Sequence, residues 1–346
     1  MRESILSLDE KKLLNIPLVD KPFRAKQIIK SIYKNRIFDF ASMTDMPKSL
    51  REYLTTNFTI LNIKPIKKLE STDGTIKFLF KLTDDNYVES VYLKDKNNRI
   101  TFCISTQSGC RMGCKFCKTG EMGLKKNLDF TEILSQILYL AQIMDEDQTV
   151  VDTAFNIVFM GMGEPLDNFE NVTKSIKILN LKDFFDIKES RITISTSGLL
   201  DKIPLLYENF PSIKLAVSLI TANQKKREEI MPIAKKFTIQ QIFDILIKCY
   251  QKYQNRITLE YVLIKGFNMS DDDIKDLEIF NNKAFHLNLI PLNHNDNKIQ
   301  RPEEKEIKLF QQKLENKGFT VTRRYRRGDD IKADCGQLYW DNTKDL

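Results

Sequence analysis

Apolar and polar positions along this chain follow two rhythms, with the change near residue 99. In the first part, residues 22–56 read as helical: Ile28, Ile29, Ile32 and Tyr33 recur at helical spacing on one face. Pro47 opens a second short helix, PKSLREYL. Two β-type runs follow, 74–82 and 87–93, joined by the turn-prone Thr83-Asp84-Asp85-Asn86. The pattern predicts a small helical domain over residues 1–90 that leads into a β hairpin, and a larger domain over residues 91–340.

In the second part, short β-branched runs alternate with amphipathic stretches. The strand candidates are RITFCIS (99–105), FNIVFMG (155–161), RITISTS (191–197), IKLAVSL (213–219), ITLEYVLI (257–264) and FHLNLIP (285–291). Ile133, Ile137, Leu140, Ala141 and Met144 recur at helical spacing, and further helical patterns cover 238–253 and 302–317. Six β–α alternations predict an α/β fold with a parallel sheet and helical crossovers. Such a sheet binds ligands beyond the carboxyl ends of its strands. Every chemistry-bearing motif described below falls at such an end.

Composition narrows the class. The 346 residues suffice for one large α/β domain and a smaller appendage, and 42% hydrophobic residues support an ordinary core. No run approaches the ~20 apolar residues of a membrane span. The charged start, MRESILSLDEKKLL, lacks the apolar segment of a secretory signal. The expectation is a soluble, cytoplasmic monomer with no membrane association. A net charge of +7 favours a polyanionic partner without identifying it.

Six cysteines change the picture further: Cys103, Cys110, Cys114, Cys117, Cys249 and Cys335. A disulfide framework would spread them through a small secreted domain, yet three form a C-x3-C-x2-C run after the first strand of the alternating region. A compact loop can turn three thiolates toward one point. An iron–sulfur cube normally takes four Cys ligands, so three leave one iron open to a small chelator with amino and carboxylate groups, such as the methionine end of S-adenosylmethionine. The competing reading is structural zinc, which prefers four closed ligands; no second cysteine pair is present, and Cys249 reads as a core residue. Alone, Cys103 and Cys335 would also read as buried core thiols.

C-x3-C-x2-C with an aromatic residue before the last Cys, here Phe116, resembles the signature of radical S-adenosylmethionine enzymes. The stretches CISTQSGC, FMGMGEPL, ISTSG, NLIP-L-N and RRGDDIKADCGQL resemble, more narrowly, the radical S-adenosylmethionine RNA adenine methyltransferases of the RlmN/Cfr type. The likeness runs in order from roughly residue 20 to 340. It implies a partial (β/α)6 barrel behind a small N-terminal helical accessory domain. It also implies a [4Fe-4S] cluster on Cys110, Cys114 and Cys117, two S-adenosylmethionine molecules per turnover, and an electron donor such as flavodoxin or ferredoxin.

The same resemblance implies residue roles. Cys335 accepts a methyl group and delivers it as a one-carbon unit. Cys103 resolves the protein–RNA adduct by forming a disulfide with Cys335. Glu89, in VESVYL, is a proton acceptor. Gly163, Glu164, Ser195, Ser218, Leu219, Ile220 and Asn293 contact S-adenosylmethionine. The implied substrates are 23S rRNA and tRNA, methylated at adenine C2. That carbon is not nucleophilic, so a radical route answers a real chemical need. GMGEP, STSG and RRGDD favour C2, whereas LKKNL and CGQLY also fit the C8-methylating (Cfr) type. A zinc-bearing RNA-binding module without catalysis is the reading from outside the enzymes.

The basic run Arg323, Arg324, Arg326 and Arg327 reads either as a solvated face or as a phosphate clamp beside Cys335. Tyr325 within it could stack on a base or pack. Two positions depart from the family pattern. Ser218-Leu219-Ile220-Thr221 stands where the family reads S-L-H-A, so an imidazole is missing, and Ala234 stands where Asn is common. His286 and His294 are the chain's only histidines.

Overall fold

The computed structural model describes residues 2–147, 154–293 and 299–339; His294 and the last residue of the expected 91–340 domain lie outside them. Its centre is a ten-stranded sheet. In chain order the strands are β1 (Ile63–Glu70), β2 (Ile76–Leu82), β3 (Tyr87–Lys94), β4 (Ile100–Cys103), β5 (Phe155–Phe159), β6 (Ile192–Thr196), β7 (Lys214–Ser218), β8 (Ile257–Leu263), β9 (Phe285–Pro291) and β10 (Val321–Arg323). They lie in the same order in space, from β1 at one edge to β10 at the other. Strands β1 to β4 pair antiparallel, and β4 to β10 pair parallel.

Each of β4 to β9 is followed by helix before the next strand begins. These helices are α3 (Phe130–Glu146), α4 (Phe169–Asn180), α5 (Ile203–Asn209), α6 (Gln224–Ile230) with α7 (Ile239–Tyr253), α8 (Asp271–Leu277) and α9 (Glu304–Asn316). The result is six β/α units in a sheet whose two edges do not meet: the parallel α/β sheet the pattern predicts, and the partial barrel the resemblance implies. Helix α3 shows why the units form. A capping box between Asp129 and Glu132 satisfies its first amides, and Ile133, Ile137, Leu140, Ala141 and Met144 are all buried. Among the described residues, no helix is long and apolar enough to cross a membrane.

Residues 22–56 carry two helices, the second opening after Pro47 as the pattern predicts. Helices α1 (Pro22–Tyr33) and α2 (Lys48–Asn57) flank a segment containing only a short 3-10 turn, Phe40–Ser42. Arg36 there adopts a left-handed backbone, and Pro47 caps α2. The expected hairpin is β2–β3, but β1 adds a third strand that the pattern did not announce. Its face is mostly exposed, and a bulge at Pro65 interrupts its register, both marks of an edge strand. Residue 90 falls inside β3, and β3 pairs with β4. The hairpin is therefore continuous with the barrel sheet.

Candidate functional site

The cysteine loop leaves the carboxyl end of β4. A two-strand clasp, Gln107–Ser108 against Lys126–Asn127, closes its base. Gly109 turns the chain there with φ 73°, and a Cβ at this position would lie 1.8 Å from the Gly123 carbonyl oxygen. No other residue fits such an approach. Within the loop the Cys110 amide donates to the Gly123 carbonyl (3.1 Å) and the Cys117 amide to the Cys114 carbonyl (3.1 Å). Cys110, Cys114 and Cys117 line one cavity. Burial pushes the Cys110 thiol up to about 12 and Cys114 well above its usual range, and the neighbouring thiols add to both shifts.

Two buried thiols and a half-buried one facing one space suit a thiolate-bound metal centre, because a metal's positive charge removes the penalty that burial and mutual repulsion impose. Three cysteine ligands are one fewer than a closed tetrahedral zinc site takes, and they suit an iron–sulfur cube with one iron left without a protein thiolate.

The far wall of this cavity comes from the ends of β5 to β9. Gly163 (φ 101°) brings its backbone so close to Gln107 that a Cβ would lie 2.5 Å from the Gln107 side chain. Glu164 is buried; Oε2 accepts from the Ser197 amide (2.7 Å) and Oε1 from the Leu166 amide (3.1 Å). Burial raises its pKa, and those hydrogen bonds oppose the rise. Ser195, Ser218 and Asn293 also line the cavity. Leu219 and Ile220 do not. Leu219 lies in the main core, and Ile220 packs in an apolar cluster with Cys114, Met231 and Leu292. Ile220 adopts φ 64°, unusual for a β-branched residue. Apolar packing behind Cys114 thus occupies the position where the family carries an imidazole.

Two charged residues here were not singled out from sequence. Glu260, on β8, accepts from Ser195 Oγ (2.7 Å) and lies 3.8 Å from Arg324 Nη1. It is the one charge in the apolar run ITLEYVLI, and a buried carboxylate needs partners; that was the available signal. Arg227, on α6, is fully buried and donates to the carbonyls of Ser197 (2.8 Å), Ser218 (3.2 Å) and Leu219 (3.1 Å). It stitches together the strand ends that form the wall.

The segment carrying Cys335 closes the cavity from the other side. The Lys118 amide donates to the Gly336 carbonyl (2.8 Å), Thr119 Oγ1 to the Leu338 carbonyl (2.7 Å), and Asn293 Nδ2 to the Cys335 carbonyl (3.1 Å). Cys335 also lines a second cavity, together with Cys103, Met160, Arg324 and Arg327. It therefore stands on a shared wall. Burial pushes Cys103 up to about 12, with Cys335 adding to the shift. Burial raises Cys335 too, and the Arg324 guanidinium pulls the other way. Both are free thiols. The Cys103–Cys335 disulfide implied by the resemblance is thus absent from this state. Cys249 is buried in α7, as a core thiol.

Glu89 lines neither cavity. It sits on β3 in a buried ion pair with Lys77 (2.8 Å), and its Oε2 accepts from the Tyr339 amide (2.8 Å). The four arginines face different ways. Arg323 pairs with Glu304, and Arg324 turns inward. Arg326 reaches Asn293 and Asp329, while Arg327 donates to the Lys94 carbonyl.

A β/α partial barrel with a triplet of cysteines beyond its first parallel strand is the architecture of the radical SAM superfamily, whose model matches residues 104–277. The model described as "Ribosomal RNA large subunit methyltransferase N-terminal domain" matches residues 5–60. A probable dual-specificity RNA methyltransferase RlmN from Clostridium novyi is 41% identical over 92% of this chain and 92% of its own length. One from Aquifex aeolicus is 39% identical over 96% and 95%. The crystal structure of a radical SAM methyltransferase from Sphaerobacter thermophilus superposes with a TM-score of 0.91 at 36% identity, covering 97% of this chain and 99% of that one. The chain belongs to the RlmN family of radical SAM methyltransferases.

Proposed function

We propose that this chain methylates C2 of adenosine in 23S rRNA and in tRNA, as a soluble cytoplasmic monomer, and carries the one-carbon unit on Cys335. The observation that supports this best is the placement of Cys335 on the wall between two cavities, one lined by Cys110, Cys114 and Cys117 and the other by Cys103. A thiol so placed can take a methyl group by displacement from a donor in the first cavity and present it to a base in the second. Held by Cys110, Cys114 and Cys117, a [4Fe-4S] cluster would supply the electron for reductive cleavage of S-adenosylmethionine. One such molecule methylates and a second is cleaved, hence two per turnover.

The chain's own residues do the rest. The Arg324 guanidinium favours the thiolate form of Cys335 for methyl acceptance. Gly163, Glu164, Ser195, Ser218 and Asn293 shape the donor's cavity. Glu89, fixed by Lys77 and the Tyr339 amide, is the proton acceptor. Cys103 keeps its proton until the adduct forms. Its thiolate then attacks the Cys335 sulfur; the bond from that sulfur to the one-carbon unit breaks with its electron pair left on the carbon, which takes a proton to become the methyl group, and a Cys103–Cys335 disulfide remains, to be reduced by an external dithiol. A flavodoxin or ferredoxin would supply the electron for the cluster. The test is mass spectrometry of RNA from cells with and without the gene. Loss of 2-methyladenosine is expected. Loss of 8-methyladenosine instead would move the reaction to C8, and no change in either would overturn the proposal.

A further inference from the structure

Tyr325 is 77% exposed, the highest value for any large apolar side chain among the described residues. That exposure rules out packing as its role. Its backbone, by contrast, is pinned on both sides. The Arg324 amide donates to the Leu289 carbonyl (2.9 Å), and the Arg327 amide to Asp334 Oδ1 (2.8 Å). The ring is thus presented from an anchored segment, and it lines the mouth of the cavity that holds Cys103 and Cys335. The Arg323 guanidinium lies 5.7 Å from its centroid.

We propose that Tyr325 is a stacking platform for the nucleobase adjacent to the one that enters the Cys103–Cys335 cavity. The proposal rests on RNA being the substrate, and it adds how the flanking nucleotide is held. A base withdrawn from its neighbours into a cavity leaves the next base with a bare face. An aromatic ring at the cavity mouth restores that partner, and it does so for any base because every base has a π-face. The charges are compatible: Arg99, Arg324 and Arg327 line the same cavity against Asp95 and Asp334; Arg99 pairs with Asp95 (2.6 Å), whereas the Arg327 guanidinium donates to the neutral Lys94 carbonyl and can meet a flanking phosphate. A protein partner would call for a contiguous apolar patch. Tyr325 instead stands alone, followed by Arg326 and Arg327 and, beyond Gly328, by Asp329 and Asp330.

The test uses the full-length protein and a short single-stranded RNA carrying 2-aminopurine beside the target adenosine. Stacking on Tyr325 quenches that fluorophore. Quenching should appear with the native protein and with Tyr325→Phe, and vanish with Tyr325→Ala and Tyr325→Leu. In turnover, Tyr325→Ala should raise KM for RNA roughly 5- to 100-fold, the range of base–aromatic stacking, with a much smaller change in kcat, and Tyr325→Phe should restore it. Equal quenching and equal KM with Tyr325→Ala would overturn the platform while leaving RNA methylation intact. Tyr325-dependent quenching without any methylated product would do the reverse, sustaining the platform and sinking the proposed activity.

Discussion

The loop carrying Cys110, Cys114 and Cys117 and the segment carrying Cys335 meet at one cavity but are built in opposite ways. The loop is held largely by its own backbone. The Cys110 amide donates to the Gly123 carbonyl and the Cys117 amide to the Cys114 carbonyl, a glycine sets its entry, and Ile220, Met231 and Leu292 pack behind Cys114; outside the loop, the Lys115 amide donates to the Ile230 carbonyl (3.0 Å) and the Lys118 amide to Gly336. The Cys335 segment is held at long range, by Lys118, Thr119, Asn293 and, through Tyr339, by Glu89. Local bonding gives a preformed set of ligands. Long-range bonding gives a thiol whose position depends on several distant elements at once. Substitutions should therefore separate ligand loss from delivery failure.

The largest effects lie at the cysteines themselves. Cys114→Ala should abolish iron and sulfide content after anaerobic reconstitution, and cleavage of S-adenosylmethionine with it. Cys335→Ala should keep the iron yet accept no methyl group and yield no RNA product. Cys103→Ala should accept the methyl, attach to RNA and stall there. The trapped species would run as a slow band on denaturing gels and disappear with ribonuclease. Thiols that merely pack would give modest destabilisation and no adduct. Should Cys335→Ala lose iron as fully as Cys114→Ala does, the two regions are not independent.

A smaller effect probes the anchor of the Cys335 segment. Lys77 and Glu89 form a buried pair, and removing one partner strands the other's charge. Glu89→Ala should cost about 3 kcal/mol in denaturant unfolding. The double substitution Lys77→Met with Glu89→Leu should recover most of that loss, because apolar replacement of a whole buried pair is often neutral. If Glu89 is the proton acceptor, RNA product stays absent in both proteins. Activity returning with stability in the double variant would make Glu89 purely an anchor.

The contrast also explains what could be read in advance. Strands β4 to β9 and helices α3, α7 and α9 announce themselves because burial imposes a period on their residues. Strand β1 does not: IKPIKKLE lies at a sheet edge, where lysines and a proline are tolerated and little is buried. Strand β10 is three residues long and carries too few positions to show a period. The cluster cysteines are legible from spacing because their loop is local. Glu89 stands more than two hundred residues before Asn293 and Cys335, which are themselves 42 apart, so only resemblance groups them. Glu260 and Arg227 show the remaining gap. Each is a charge placed among apolar neighbours, but its partners (Ser195 and Arg324 for the first, three backbone carbonyls for the second) come from other strands and loops. Composition cannot reveal such partners.

The smallest effect concerns the arginines that precede Cys335, which the sequence presents as one block and the structure divides. Arg326 lies 2.6 Å from Asp329 and 3.7 Å from Asp334, so nearby carboxylates already offset its charge. The Arg327 guanidinium donates to the Lys94 carbonyl (2.6 Å), a neutral acceptor that leaves the charge available to a phosphate. RNA affinity measured over a salt series distinguishes the two. Each phosphate contact contributes nearly one unit to the slope of log affinity against log salt, through counterion release. Arg327→Gln should therefore lower the slope by about 1. Arg326→Gln should weaken binding by loosening Asn293, to which Arg326 donates, while leaving the slope nearly unchanged. Equal slope losses would mean that the arginines act together as a single phosphate clamp. No loss in either would mean that phosphates are held elsewhere, and that this segment serves only to position Cys335.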